Sequence, residues 1–159
     1  MTIKVGDKLP NVDLMMMTDK GPTKISASKL FGNKKVALFA VPGAYTPTCS
    51  AKHLPGFVSN SKSFADKGVD EIVCLSVNDP FVMAAWGKDG GAGDIKMVAD
   101  PDAAFTKAMN VEFDASGAGL GVRSRRYSML VDDGVVTKLN LEESGGFEVS
   151  DAETLLDQI

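Results

Sequence analysis

Two near-continuous apolar runs stand out along the chain, residues 35–41 (Lys-Val-Ala-Leu-Phe-Ala-Val) and 71–77 (Glu-Ile-Val-Cys-Leu-Ser-Val). Such runs mark strands buried on both faces of a parallel sheet. A shorter run at 95–99 reads as a third strand. Between them the apolar spacing turns helical. Residues 47–67 place Leu54, Phe57, Val58 and Phe64 on a helix, with Thr46 as N-cap and Pro47 as its first residue. Pro55-Gly56 predicts a kink in it, and Gly68 its end. Asn78-Asp79-Pro80 opens a second helix with Phe81, Val82, Ala85 and Trp86 on one face, and Asp100-Pro101-Asp102 caps a third through Met109. Residues 126–131 and 135–141 flank Asp132-Asp133-Gly134, a β-hairpin signal. Ser150-Asp151-Ala152-Glu153 reads as a capping box for a last helix carrying Leu155, Leu156 and Ile159.

The N-terminal stretch holds Val5, Val12, Leu14 and Met15-Met16-Met17, punctuated by Gly6 and Pro10. It predicts a β segment with a strand near 12–17. Residues 19–34 are turn-rich with one short helical turn, and the glycines of 87–93 and 113–121 predict loops. Strand–helix alternation gives parallel pairing, and the late hairpin gives antiparallel pairing. The fold class is therefore α/β, a mixed central sheet with helices on both faces. With its N-terminal β extension and late β-hairpin, this is the layout of a thioredoxin-like fold.

The 159 residues suggest one domain, 1–159. A net charge of −4 gives no support to a nucleic-acid or anionic-membrane partner. The longest apolar run is about one strand long, far short of the ~20 residues of a membrane helix. The start, Met-Thr-Ile-Lys-Val-Gly-Asp-Lys, has no apolar signal core, so the expected location is cytoplasmic. The two cysteines, Cys49 and Cys74, make neither a disulfide scaffold nor a zinc site, and with His53 the single histidine, most metal sites are poorly supplied.

Cys49 is the chemical candidate. The strand at 35–41 ends in Pro42-Gly43 and feeds a helix, which puts the turn at the carboxyl edge of the sheet, where open α/β folds keep their sites. A cysteine in the first helical turn faces unpaired N–H groups and the positive end of the helix dipole. Making a thiolate dominant at neutral pH takes about 2–3 kcal/mol, and a helix N-terminus typically supplies about 0.3–1. A cation is needed as well. His53 lies four residues on, Lys52 three, and the cluster Arg123-Ser124-Arg125-Arg126 enters the hairpin. Arginine stays charged when buried, and Arg126 heads the strand. Thr46 has two possible jobs, capping the helix and donating its hydroxyl hydrogen to the sulfur or a substrate. His53 is either a packing residue or half of a Cys–His dyad, which would suggest an acyl hydrolase. A redox sensor would use the same cysteine.

Residues 42–49, Pro-Gly-Ala-Tyr-Thr-Pro-Thr-Cys, match the Pro-x-x-x-Thr-x-x-Cys motif of peroxiredoxins. Residues 50–57, 76–83, 86–88 and 119–127 resemble the type II, glutaredoxin- or thioredoxin-linked subfamily, so the likeness covers nearly the whole chain. The resemblance implies that Cys49 is the peroxidatic cysteine. Thr46 and Arg126 would bind thiolate and peroxide, and Pro42 and Gly43 would complete the substrate pocket. The implied activity is reduction of hydrogen peroxide and small alkyl hydroperoxides through a Cys49 sulfenic acid, with no metal or organic cofactor. Resetting Cys49 needs a thiol. Cys74 is the internal candidate, although mid-strand in an apolar run, and stretch 142–150 has no late cysteine. Glutathione with glutaredoxin is the favoured external reductant and thioredoxin the second. The family tends toward homodimers, for which Tyr45 and Trp86 are contact candidates.

Overall fold

The structure, a computed structural model, describes residues 1–143 and 145–159. Strands β1 (Asp13–Thr18) and β2 (Gly21–Ser26) precede helix α1 (Ala27–Phe31) and strand β3 (Lys35–Val41). A π-helical turn (Cys49–His53) leads into α2 (Leu54–Ser59), α3 (Ser61–Asp66), β4 (Glu71–Ser76) and α4 (Pro80–Asp89). Then come β5 (Lys96–Ala99), α5 (Ala104–Ala108), β6 (Glu112–Asp114), β7 (Val122–Ser124), β8 (Tyr127–Asp132), β9 (Val135–Leu141) and α6 (Ala152–Asp157). The main sheet has seven strands in the order β2-β1-β5-β4-β3-β8-β9. Its centre, β3, β4 and β5, is parallel, and β1 and β8 flank it antiparallel. This is the mixed sheet of a thioredoxin-like fold.

Strand β3 shows why the pattern works. Successive side chains leave a strand on opposite faces. Ala37, Phe39 and Val41 join one core with Phe57, Phe64, Met83, Trp86 and Leu155, which belong to α2, α3, α4 and α6. Val36, Leu38 and Ala40 join the other with Leu30 and Phe31 of α1 and Phe105 of α5. Both faces are covered, so the strand must be apolar throughout. Phe39 stacks on Phe57 at 4.1 Å between centroids and 3° between planes, and Phe57 stacks on Phe64 at 5.4 Å. This column anchors the helix that follows Cys49.

Several local expectations change. Residues 21–26, read as turn-rich, form β2, an edge strand where Pro22 removes no ladder bond that the sheet needs. Helix α4 runs past Gly87, so the loop begins at Gly90, and its buried face is Met83, Trp86 and Gly87, while Phe81 is exposed. Gly87 is needed there because an added Cβ would come within 2.5 Å of Met97 Cγ. The glycine-rich stretch hides a small antiparallel pair, β6 with β7. The last helix is capped by Asp151, which accepts from Thr154 N, and not by Ser150.

The helix predicted over 47–67 is broken in two places. It is helical from Pro47, widens to a π turn over Cys49–His53, and breaks again at Asn60. Leu54 N–H donates to the Cys49 carbonyl, five residues back. Pro55 follows directly, has no N–H, and crowds the carbonyl four residues before it, so the turn ahead of it opens. The irregularity thus lies on the cysteine itself, one turn earlier than the proline.

Phe39→Ala removes the centre of the aromatic column. The expected loss of stability is about 3–5 kcal/mol, read as a lower urea midpoint, because a buried ring leaves a cavity that the flanking rings cannot fill. A midpoint near that of the parent protein would contradict this packing.

Candidate active site

The turn after β3 is held from three sides. Ala44 N–H donates to Asn78 Oδ1 at 3.0 Å, and Ser76 Oγ donates to the same oxygen at 2.6 Å, tying the turn to the end of β4. Arg123 Nη1 donates to the Pro42 carbonyl at 3.2 Å. Gly43 is buried, and a Cβ there would lie 3.0 Å from Arg123 Nη1 and 3.1 Å from Thr46 Cγ2, so this position leaves little room for a side chain. Tyr45 takes a left-handed conformation (φ 65°), stands exposed, and donates its hydroxyl to Asp89 Oδ2 at 2.6 Å. The chain then turns into the helix, where the Thr46 carbonyl accepts from Ser50 N–H at 3.0 Å. The Thr48 and Cys49 N–H groups lie ahead of that first helical bond, at the positive end of the helix.

Cys49 is fully buried, and the structure brings Thr46 and Arg126 onto its sulfur. Arg126 Nη2 donates to Sγ at 3.1 Å, across 77 residues of sequence. Thr46 Oγ1 lies 2.8 Å from Sγ and 2.8 Å from the Gly43 carbonyl. A hydroxyl has one hydrogen, so it serves one of these acceptors at a time. Given to the sulfur, it complements a thiolate; given to Gly43, it leaves Oγ1 to accept from a thiol. Among the described residues Thr46 Oγ1 accepts from no N–H of the helix, so its donor role is the one the geometry uses.

Of the other cations, Lys52 is exposed. Arg123 bonds the Leu120 and Pro42 carbonyls, and Arg125 bonds the Glu142 carbonyl. His53, with either a packing or a dyad role expected, is 1% exposed and packs among Phe39, Phe57 and Phe147. Its Nε2 lies 2.9 Å from the Ser150 carbonyl, an acceptor only, so Nε2 carries the hydrogen. Its Nδ1 then accepts from Arg126 Nη1 at 3.0 Å. Both ring nitrogens are committed away from Cys49, which excludes a Cys–His dyad. Burial first, and the Arg126 charge second, push His53 down to about 3, so it is neutral at working pH.

The support continues outward. The Glu142 carboxylate accepts from the N–H groups of Glu148, Val149 and Ser150, and from Ser150 Oγ at 2.6 Å. Burial raises its pKa, but these donors outweigh it and hold the carboxyl below its ordinary value. The clasp fixes the Ser150 carbonyl that orients His53. Phe147 from the same loop lies edge-on to His53, and the Arg126 guanidinium sits 5.6 Å from its ring centroid. Sequence reasoning missed this shell because it spans residues 53, 126 and 142–150 with no local signature.

Cys74 lies on β4 opposite Phe39, in the same core cluster as Cys49; both cysteines are free. Burial, and next the Cys49 charge, push the Cys74 thiol well above the usual range. Trp86 is buried and donates Nε1–H to Ser50 Oγ at 3.0 Å, so it braces the π turn and is not available for contact with another subunit.

A neutral, buried His53 has a pH consequence. Its folded pKa is depressed, so below 6.5 the unfolded chain binds a proton that the folded chain does not, and stability falls as pH falls. The expected loss by pH 5 is about 2 kcal/mol, seen as a falling urea midpoint. His53→Gln keeps one donor and one acceptor without the titration, so its midpoint should fall less over the same window. Equal falls in both proteins would contradict the assignment.

The site invites comparison with known proteins. The Redoxin family model matches residues 4–156. The chain is 52% identical to "Peroxiredoxin-2E, chloroplastic" of Arabidopsis thaliana, covering 98% of this chain and 68% of that protein. It is 47% identical to "Peroxiredoxin-2B" of the same plant, covering 97% and 96%. Among solved structures, reduced Prx3 of Vibrio vulnificus in complex with H2O2 superposes with a TM-score of 0.96 at 50% identity over 99% of both chains. Likeness of this extent, in sequence and in fold, shows that the chain belongs to the peroxiredoxins, in their type II branch, and is a thiol-dependent peroxidase.

Proposed function

We propose that Cys49 is the peroxidatic cysteine, with Thr46 and Arg126 as the groups that hold its thiolate and the peroxide. The observation that carries this reading is the convergence of two donors on one buried sulfur, at 2.8 and 3.1 Å. Hydrogen peroxide or a small alkyl hydroperoxide enters beside Pro42. The Cys49 thiolate attacks one peroxide oxygen, the O–O bond breaks, and water or an alcohol leaves after taking up a proton. Cys49 becomes a sulfenic acid. Arg126, Thr46 and the first-turn N–H groups stabilise the charge that develops on the departing oxygen, as an oxyanion hole does. Pro42 and Gly43 wall the substrate pocket. No step calls for a metal or an organic cofactor.

An external thiol resets the enzyme. Cys74 is a poor resolving group because the thiolate is the nucleophile and its thiol is held protonated by burial. Glutathione with glutaredoxin is the first choice and thioredoxin the second. The proposal includes a homodimer, with exposed Tyr45 and Phe81, both anchored on α4 or its first turn, as contact residues. It also includes a single domain over 1–159 and a cytoplasmic location, which cell fractionation tests.

Cys49→Ser is expected to abolish peroxide consumption, and Cys74→Ser to retain it when glutathione and glutaredoxin are supplied. The assay is peroxide loss, run separately with the thioredoxin system. Peroxide turnover by the Cys49→Ser protein would overturn the assignment. Sedimentation of the active protein as a monomer at assay concentration would remove the homodimer from the proposal.

A further inference from the structure

A pocket of about 190 Å³ has Pro42, Thr48, Phe113, Arg125, Arg126 and Glu143 on its walls, and adjoins the site through Arg126, which bonds the Cys49 sulfur. It is larger than a peroxide needs, since a water molecule's share of liquid volume is about 30 Å³. It is also smaller than the roughly 300–1,000 Å³ of a site that encloses a drug-sized ligand. A cavity of this size holds an amino-acid-sized end of a longer molecule. Arg126, on its wall, donates to the Cys49 sulfur at 3.1 Å, so a molecule seated there lies one side chain from the sulfur.

The charges on the walls select the end. Arg126 is committed to Cys49 and His53. Arg125 is half-buried and anchored by one bond, Nη2 to the Glu142 carbonyl at 2.6 Å. Among the described residues no carboxylate pairs with it. The Glu142 carboxylate is turned into its own clasp with Ser150 and the amides of 148–150. Glu143 is exposed, with no cation paired to it among the described residues. The pocket therefore offers one fixed guanidinium fork and one carboxylate. That pair complements a zwitterion, and Pro42 and Phe113 leave apolar wall for the rest of the molecule.

We propose that this pocket seats the α-amino-carboxylate end of a small reducing thiol of the glutathione type, its carboxylate on Arg125 and its ammonium on Glu143. The inference rests on the reading that such a thiol resets Cys49. The thiol sulfur attacks the sulfenic sulfur, an S–S bond forms, and the S–O bond breaks. The thiol proton joins the departing hydroxide as water. The sulfenic sulfur is reduced and the incoming sulfur oxidised, and a second thiol then releases Cys49 as thiolate.

The test is single-turnover kinetics on the full chain, oxidised with one equivalent of hydrogen peroxide and mixed with glutathione or with 2-mercaptoethanol. In the parent protein the glutathione rate constant, corrected for thiolate fraction, exceeds that of 2-mercaptoethanol. In Arg125→Gln the ratio of the two falls about tenfold, the scale of one charge-assisted hydrogen bond at a half-exposed site. Arg125→Lys recovers part of it. Glu143→Gln slows glutathione but not glutathione acetylated on its α-amino group. Because each ratio is taken within one protein, partial misfolding does not imitate the result. An unchanged ratio in Arg125→Gln overturns the proposal. So does an Arg125→Gln protein slowed toward a carboxylate-bearing hydroperoxide with its thiol ratio intact, which assigns the pocket to the peroxide. A parent protein reset by thioredoxin and by no small thiol refutes the underlying reading instead.

Discussion

Arg126 carries a full positive charge into a site where it is 9% exposed, and among the described residues no carboxylate answers it. Its partners are the Cys49 sulfur, a neutral imidazole and the face of Phe147. Burying a charge costs several kcal/mol unless it is compensated. A paired carboxylate would stabilise the arginine and also spend its charge locally. His53 accepts a hydrogen bond without neutralising anything, so the remaining charge is directed at the sulfur and at whatever oxygen approaches it. The site depends on His53 staying unprotonated, and both its burial and the arginine beside it enforce that.

The rest of the fold serves this contact. Strand β8 brings Arg126 alongside β3, whose end launches the Cys49 turn. The Phe39–Phe57 stack fixes the helix, and Phe39 also packs on the His53 ring at 4.9 Å. From the far side, the Glu142 clasp fixes the Ser150 carbonyl and with it the histidine tautomer. Pro55 opens the helix into a π turn on the cysteine, and Trp86 braces that turn through Ser50.

The fold was legible where burial is two-sided or the turn chemistry is specific. The apolar runs at 35–41 and 71–77 are the central strands, and Asp133-Gly134 supplies the two positive φ values that its hairpin turn needs. It was illegible where a residue's role is set by a distant partner. Pro22 disguised an edge strand, and glycines disguised β6 and β7. Ser150 resembled a cap because its tie to Glu142 is tertiary, leaving Asp151 to cap the helix. The energetic shortfall of a helix N-terminus pointed to a cation for Cys49, and of three nearby arginines the structure sets Arg126 on the sulfur. The bond between His53 and Arg126 had no such pointer, because the 73-residue separation leaves no trace in local spacing.

The most direct test of this account is the second-order rate constant for Cys49 oxidation by hydrogen peroxide in Arg126→Gln. The single tryptophan, Trp86, is bonded to Ser50 beside the cysteine and gives the fluorescence signal. If the directed charge of Arg126 drives the reaction, the rate constant falls about 10²–10³-fold, the cost of removing one such donor. Arg126→Lys recovers only part of it, because one ammonium lacks the guanidinium's fixed fork that reaches both Sγ and His53. A rate constant in Arg126→Gln within about twofold of the parent would contradict the account.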